Sequence, residues 1–243
     1  MCDSIFWGDW ILIKSLPPLS KITGFGEFFS NIGPQLDTTI PTDTRDPLDF
    51  LGGAFPHSFF VFPSDDLEVT RCINSFKLKG SQLNEIPIYI YKRLSQILSP
   101  IISKLFNKSI YLGKFPKILK KSRIVPIPKV NSSTNVNDYR PISIIPILSK
   151  IFEKLINVRL ISYLNKFDLL VPFQFGFREG SSTNDALLQF LDTIYEGLDG
   201  GSHALALFLD LKKAFDTVNH AILLRKMYAY GVRGSIFSWV QSY

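Results

Sequence analysis

Residues Ala204-Leu-Ala-Leu-Phe-Leu209 are six apolar residues in succession, and the run ends abruptly in Asp210 before continuing as Leu-Lys-Lys-Ala-Phe-Asp-Thr-Val-Asn-His220. An apolar run of that length predicts a strand buried on both faces. A carboxylate at the end of such a strand is mounted on rigid structure, and it requires a cation or hydrogen-bond donors. A divalent metal answers that need. So does a role as N-cap of the Leu211–Phe215 turn, or a partnership with Lys212 or Lys213. The residues alone leave these alternatives open.

Working outward, Asn219 or His220 opens a helix that closes at Gly231, and a further helix runs from about Ser235. Upstream, Ser182-Thr-Asn-Asp185 carries the S-x-x-D capping pattern. It predicts a helix with a buried stripe of Leu187, Phe190, Leu191, Ile194 and Leu198, ended by Gly200-Gly201. Pro146 to Leu164 reads as an amphipathic helix with Leu148, Ile151, Phe152, Leu155 and Ile156 on one side. Arg123-Ile-Val-Pro-Ile-Pro-Lys129 is β-branched and alternating, and its prolines confine it to an edge strand. With Tyr139-Arg-Pro-Ile-Ser-Ile-Ile145 it forms a hairpin across a polar loop, Asn131 to Asp138. Glu85 to Leu112 is helical, with Ile90, Leu94, Ile97 and Leu98 on one face. Ser99-Pro100 is read there as the N-cap and first residue of a second helix. Residues 1–50 read as irregular, with a short helix only at Phe25 to Ile32. Helical segments, a hairpin and a buried strand make the fold class α+β.

Composition bounds the rest. The 243 residues are 46% hydrophobic with 21 Phe, enough for a core, which excludes a disordered chain. Two cysteines are too few for a disulfide framework, and three histidines without paired cysteines assemble no zinc site. No stretch approaches a membrane span. Met1-Cys-Asp-Ser is acidic where an export signal needs positive charge, so an intracellular protein, in nucleus or cytoplasm, is expected. Charge is uneven. Residues 1–80 hold 6 basic and 10 acidic residues, 81–180 hold 16 and 5, and 181–243 hold 5 and 6. Lys114, Lys117, Lys120, Lys121 and Arg123 fall within ten residues, interleaved with Phe115, Ile118 and Leu119. A solvated face is the bland reading, but the clustering on folded surface favours a polyanion partner.

The string Phe208 to His220 closely resembles motif A of reverse transcriptases, in the form found in non-LTR (LINE-type) retrotransposons. Arg123 to Lys129 resembles the first fingers motif of that family, and Asn137-Asp-Tyr-Arg-Pro-Ile-Ser143 the second. Ser149-Lys-Ile-Phe-Glu-Lys154 and Gln174-Phe-Gly-Phe-Arg178 resemble further blocks, in the family's order. Leu112-Gly-Lys-Phe-Pro116 and Phe28-Phe-Ser-Asn-Ile-Gly33 resemble upstream segments. The resemblance covers 110–243 and more weakly 20–110. It implies fingers and a partial palm of a right-hand polymerase: an irregular extension or linker at 1–80, fingers at 81–200 with the reverse transcriptase-like core from about 110, and the start of the palm at 201–243.

The resemblance also implies site residues. Asp210 takes the place of the catalytic aspartate that holds two magnesium ions, and the Leu211 carbonyl that of a backbone metal ligand. Arg140 takes the place of the arginine that grips the incoming triphosphate, with Lys129 beside it. Phe215 takes the place of the aromatic gate against a ribose 2′-hydroxyl, with a core aromatic as its alternative. Asp216 is expected to cap the following helix. Gln174 and Arg178 are expected to be structural or template-facing. The implied partners are an RNA template, a DNA primer and deoxynucleoside triphosphates, with the nucleic acid held by Lys114, Lys117, Lys120, Lys121 and Arg123. No Tyr/Phe-Ala-Asp-Asp string, the family's second catalytic segment, occurs in the 243 residues. The chain is therefore expected to be a truncated polymerase, inactive alone, with Phe237, Trp239 and Val240 of the last helix left without packing partners. A non-catalytic nucleic-acid-binding remnant is the alternative, and a protein-interaction relic a third.

Overall fold

The computed structural model describes residues 31, 45–51, 53–78, 86–129, 138–211 and 214–243. It divides into two compact units; of the described residues, 164–211 and 214 form one, and the others form the second.

In the larger unit, the Asp65 side chain accepts from the Glu68 N–H and starts helix α1, Asp66–Asn74. Asp66 and Glu68 in its first turn complement the helix dipole. The irregular character expected for residues 1–80 therefore does not extend to this stretch, which buries Val69, Cys72 and Ile73. Helix α2, Ile88–Arg93, and helix α3, Ser95–Tyr111, are separated by one non-helical residue, Leu94. So α3 starts before Ser99-Pro100, and both lie inside it. Ser99 caps nothing because its hydroxyl is used across the interface with α1, 2.8 Å from Thr70 Oγ1. Ser103 adds a 2.6 Å hydrogen bond to Asp66. These small polar residues let the two helices approach closely. The inward face of α3 is Ser99, Ile102, Phe106 and Ile110, whereas Leu94 and Ile97 of the expected face are exposed.

Gly113 ends this segment with φ +60°, and a Cβ there would lie 2.8 Å from Ser238 Cβ. Glycine is thus required both by the backbone and by the neighbour. A 3₁₀ turn, Lys117–Lys120, leads to strand β1, Arg123–Pro128, which pairs antiparallel with β2, Tyr139–Ile144. Arg140 lies opposite Ile127 and Arg123 opposite Ile144. The hairpin matches the expectation; its loop, 131–137, lies outside the described residues. So do the helix expected at Phe25 to Ile32 and the upstream segment Phe28 to Gly33, apart from Asn31.

Helix α4, Ile147–Lys166, follows, and it buries Ile151, Phe152, Leu155 and Ile156 as its pattern predicts. Phe152 and Phe106, both almost fully buried, meet edge to face at 5.2 Å and centre the core. Arg159 of α4 clasps the N-terminal segment, donating to Glu68 and to the Phe62 carbonyl.

The last two helices join the same unit. The Asn219 side chain caps α6, His220–Ala229, by accepting from Ile222 N–H. Asp216 is therefore not the cap: it precedes the helix by four residues, and only Asn219 is within reach of the free N–H groups. Just after α6, Phe55 N–H donates to Ala229 O and Phe59 N–H to Gly231 O, each at 2.8 Å. The Tyr163 hydroxyl sits 3.0 Å from the carbonyls of both His57 and Tyr230. A side chain at Gly231, φ +98°, would collide with His57 O and Tyr163 OH. Helix α7, Gly234–Ser242, is not left without partners. Trp239 packs edge to face on Phe115 at 5.1 Å, and its indole N–H donates to Ser109 Oγ at 2.8 Å. The Phe115 N–H in turn donates to Ser242 Oγ.

In the smaller unit, the capping box at Ser182 and Asp185 forms as expected and starts helix α5, Thr183–Asp199. Gly201, φ +72°, follows its end. The expected buried stripe is only half covered: Phe190, Leu191 and Ile194 are half-buried, while Leu187 and Leu198 are exposed. The largest departure is at 204–209, which is neither a strand nor buried; Leu205 is 98% exposed. A strand buried on both faces needs neighbouring strands to pair with and layers packed over each face, and among the described residues the only ladder is β1–β2. Phe208 still meets Phe190 of α5, ring to ring at 5.6 Å.

Candidate functional site

The five clustered cations are all at the surface. The segment that carries them is held from below by Phe115 and Leu119, both buried. Ser109 Oγ donates to Lys114 O at 2.7 Å and fixes the entry of the turn. Four of the five, Lys114, Lys117, Lys121 and Arg123, point their charge to solvent. Lys120 differs, because its ammonium donates to the Ser242 carbonyl in the last turn of α7. A cation there complements the negative end of the helix dipole, so Lys120 is a structural tie between turn and helix. Sequence spacing alone did not separate it from its neighbours.

The hairpin adjoins this turn. Alternation along the strands puts Arg123, Val125 and Ile127 on one face with Arg140, Ile142 and Ile144. Arg140 is exposed, and among the described residues it has no ion-pair partner; the alternative of a bridge to Asp138 is not formed. Lys129 is exposed at the end of β1, where its N–H donates to Asp138 O at 2.7 Å and closes the ladder. One hairpin thus joins the two residues expected to meet a triphosphate, with the five-cation turn directly preceding it in the chain.

Asp210 lies in the smaller unit, exposed and outside any helix or strand, with Leu211 also exposed. Lys212 and Lys213, its alternative partners, lie outside the described residues. Phe215 belongs to the larger unit and is 70% exposed. Gln174 Nε2 donates to Gly176 O, and Arg178 Nη1 to Val171 O, both at 3.0 Å. These two side chains brace their own turn, around Phe177 with φ +61°, which is the structural role.

Among the described residues no three His, Cys, Asp or Glu side chains gather as a metal site would require. Asp210 and the Leu211 carbonyl would fill two of a magnesium ion's six positions, with water and nucleotide phosphates for the others, and a two-ion site would need further converging carboxylates. No helix is long and apolar enough to cross a membrane among the described residues.

Residues 118–243 match the family model described as reverse transcriptase (RNA-dependent DNA polymerase). The chain is similar to the RNA-directed DNA polymerase from mobile element jockey of Drosophila melanogaster. The two are 36% identical over 126 residues, which is 51% of this chain and 14% of the relative. It is similar to the probable RNA-directed DNA polymerase from transposon BS of the same organism, 30% identical over 185 residues, 75% of this chain and 20% of the relative. The corresponding protein from transposon X-element is 36% identical over 127 residues, 52% of this chain and 14% of the relative. The chain thus spans a seventh to a fifth of the length of these relatives. Three quarters of it match the BS protein, more than lies from residue 118 onward, so that similarity takes in part of the helical segment upstream. From the match at 118–243 and these relatives, the chain belongs to the reverse transcriptase (RNA-dependent DNA polymerase) family, in its non-LTR retrotransposon form.

Proposed function

We propose that this chain is the fingers and the beginning of the palm of an RNA-directed DNA polymerase, and that residues 1–243 alone do not extend a primer. The observation that carries the first part is the family match, which contains the hairpin with Arg140, Lys121 of the turn, and Asp210 in one segment. The second part rests on carboxylate supply: Asp210 is one metal-binding carboxylate, and the described residues gather no group of three ligands that includes it. In this reading α2–α5 and the hairpin are fingers, and the segment from 201 belongs to the palm. Asp210 and the Leu211 carbonyl would hold magnesium, which when bound supplies charge stabilisation for nucleotidyl transfer.

This chain's own residues bind and orient. The Arg140 guanidinium, planar and always charged, suits bidentate contact with a triphosphate, and Lys129 adds a second charge beside it. Phe215, in a turn and exposed, would lie against the sugar and refuse a 2′-hydroxyl. Lys114, Lys117, Lys121 and Arg123 hold template or primer phosphates without reading bases.

The test exchanges residues 118–243 for the matching segment of the jockey polymerase. The exchanged enzyme should extend a DNA primer on RNA with deoxynucleotides, and Phe215→Ala in it should admit ribonucleotides. An exchanged enzyme that folds yet lacks activity would refute the reading. In the 243-residue chain, replacing Lys117 and Lys121 by Ala should flatten the salt dependence of RNA binding by roughly 1.4 in log–log slope, two phosphates at ~0.7 each. A non-catalytic binding remnant would show that slope change but no activity in the exchange.

A further inference from the structure

We infer that residues 55–64, which lie outside the 118–243 match, form a belt that sets the direction of α6, and that Tyr163 and Arg233 are thereby positioning residues for the choice of sugar at Phe215. This rests on the reading of Phe215 as the gate against a 2′-hydroxyl. The belt has no helix or strand of its own, so its backbone groups bond to neighbouring elements instead. At one end, the Phe55 and Phe59 N–H groups hold the Ala229 and Gly231 carbonyls. Arg233 answers in the other direction: Nη2 donates to Phe55 O at 2.6 Å and Nη1 to Ser58 Oγ at 3.2 Å. Tyr163 of α4, 8% exposed, places its hydroxyl between His57 O of the belt and Tyr230 O at the end of α6. The Phe59 ring meets the Tyr163 ring at 5.3 Å. At the other end, the Ser64 backbone exchanges two hydrogen bonds with the Asn107 side chain of α3, at 2.7 and 2.9 Å, and Arg159 of α4 holds Phe62 O. One short segment thus fastens the end of α6 to α3 and α4.

Helix α6 carries this hold to the gate. Phe215 stands four residues before Asn219, the cap that opens the helix. Its ring is largely exposed, so the backbone of its turn largely sets its place. From His220 to Ala229 the helix rises about 14 Å, so a tilt of about 4° at the fastened end moves the other end by about 1 Å. A misplacement of about 1 Å, made far from the chemistry, can cost about 100-fold. A gate is sensitive to such a shift because it separates two sugars by one oxygen atom. Halfway along α6 the Arg225 guanidinium also meets the Asp46 carboxylate, at 2.6 Å. Both of those side chains are half exposed, so that pair adds little, and the buried Tyr163 with the forked Arg233 carries the hold.

Two measurements test this. In the full 243-residue chain with Cys2→Ser, nitroxide labels at Asp216→Cys and Val158→Cys report the distance from the gate turn to α4 by double electron–electron resonance, with the buried Cys72 left unlabelled. The distance distribution should be narrow and should broaden in Tyr163→Phe and in Arg233→Gln, with Arg233→Lys between. For sugar choice, the full chain is joined to the part of the jockey polymerase that follows its matching segment. There Tyr163→Phe and Arg233→Gln should each lower the kcat/KM ratio of deoxynucleotide over ribonucleotide by about ten-fold or more. Ile73→Val removes a methyl from the α1 core, away from the belt; it should lower the melting temperature and leave both readouts unchanged. If Ile73→Val moves them as much as the belt variants do, the belt acts through stability alone and the inference is overturned. A distribution that stays narrow in both belt variants overturns it too, whatever the enzyme does. If Phe215→Ala admits ribonucleotides while the belt variants keep the sugar ratio, the gate reading stands and the inference falls. If Phe215→Ala keeps the ratio, the gate reading falls and the inference falls with it.

Discussion

Trp239→Ala probes whether α7 is docked as described, and its cost can be worked from the contacts. The ring is 3% exposed and packs on Phe115 and Tyr243. Removing a buried Trp costs about 3–5 kcal/mol. The indole hydrogen bond adds nothing beyond that range, because Ser109 Oγ keeps its own bond to Lys114 O. At about 2–4 °C per kcal/mol for a chain of this size, the melting temperature should fall by roughly 6–20 °C. Trp239→Phe keeps the aromatic contact and loses only the N–H, so it should cost nearer ~1 kcal/mol. Urea unfolding followed by circular dichroism measures both. Because the docked helix also holds Lys120 through Ser242 O, Trp239→Ala should weaken RNA binding while Trp239→Phe should not. A loss below about 1 kcal/mol for the Ala variant, or equal losses for Ala and Phe, would refute the docking.

Two further predictions concern titrating groups. The Cys72 thiol is buried between α1 and α4, and burial pushes its pKa up to about 12. In a Cys2→Ser background it should resist alkylation at pH 8 and react at the rate of unfolding once urea is added; fast reaction in the folded chain would contradict its burial. The Asp185 carboxyl is held below its ordinary value by the Ser182 hydroxyl and then by the Ser182 backbone N–H. Its folded pKa is depressed, so its contribution is present above 3.8 and is lost as pH falls below that through the folded value. The helicity of α5 should drop in that acid range and, in Asp185→Asn, become insensitive to it; an unchanged acid response in the variant would assign the transition to another group.

Local signals were legible where the chemistry is local. Ser182 and Asp185 complete a box within one turn, Asn219 caps from one residue away, and the β1–β2 alternation is bounded by its own prolines. The α4 stripe was legible because its partners, Phe106 and Phe115, lie in the same unit. Ser99-Pro100 misled because a helix-start signal is also a helix–helix contact: the hydroxyl was needed by Thr70. Asp216 misled because Asp and Asn are equivalent as cap residues in sequence and only geometry chooses between them. Trp239 looked unpartnered because Phe115 and Ser109 are more than a hundred residues away in the chain. Of the site, the charge of the 114–123 turn was plain from composition. The special role of Lys120 was not, since it depends on the end of a helix more than a hundred residues later. The segment 204–209 shows the limit of apolar length as a signal, because a run fit for a buried strand becomes one only between other strands.

The proposed function stands or falls on Asp210 as a metal-binding carboxylate of a reverse transcriptase palm. Its most direct test is primer extension by the exchanged jockey enzyme carrying Asp210→Asn, measured against magnesium concentration beside Asp216→Asn. Asp210→Asn should lower extension by orders of magnitude at every magnesium concentration with the thermal melt unchanged, while Asp216→Asn should keep most of it. Full extension by the Asp210→Asn enzyme at ordinary magnesium would contradict it.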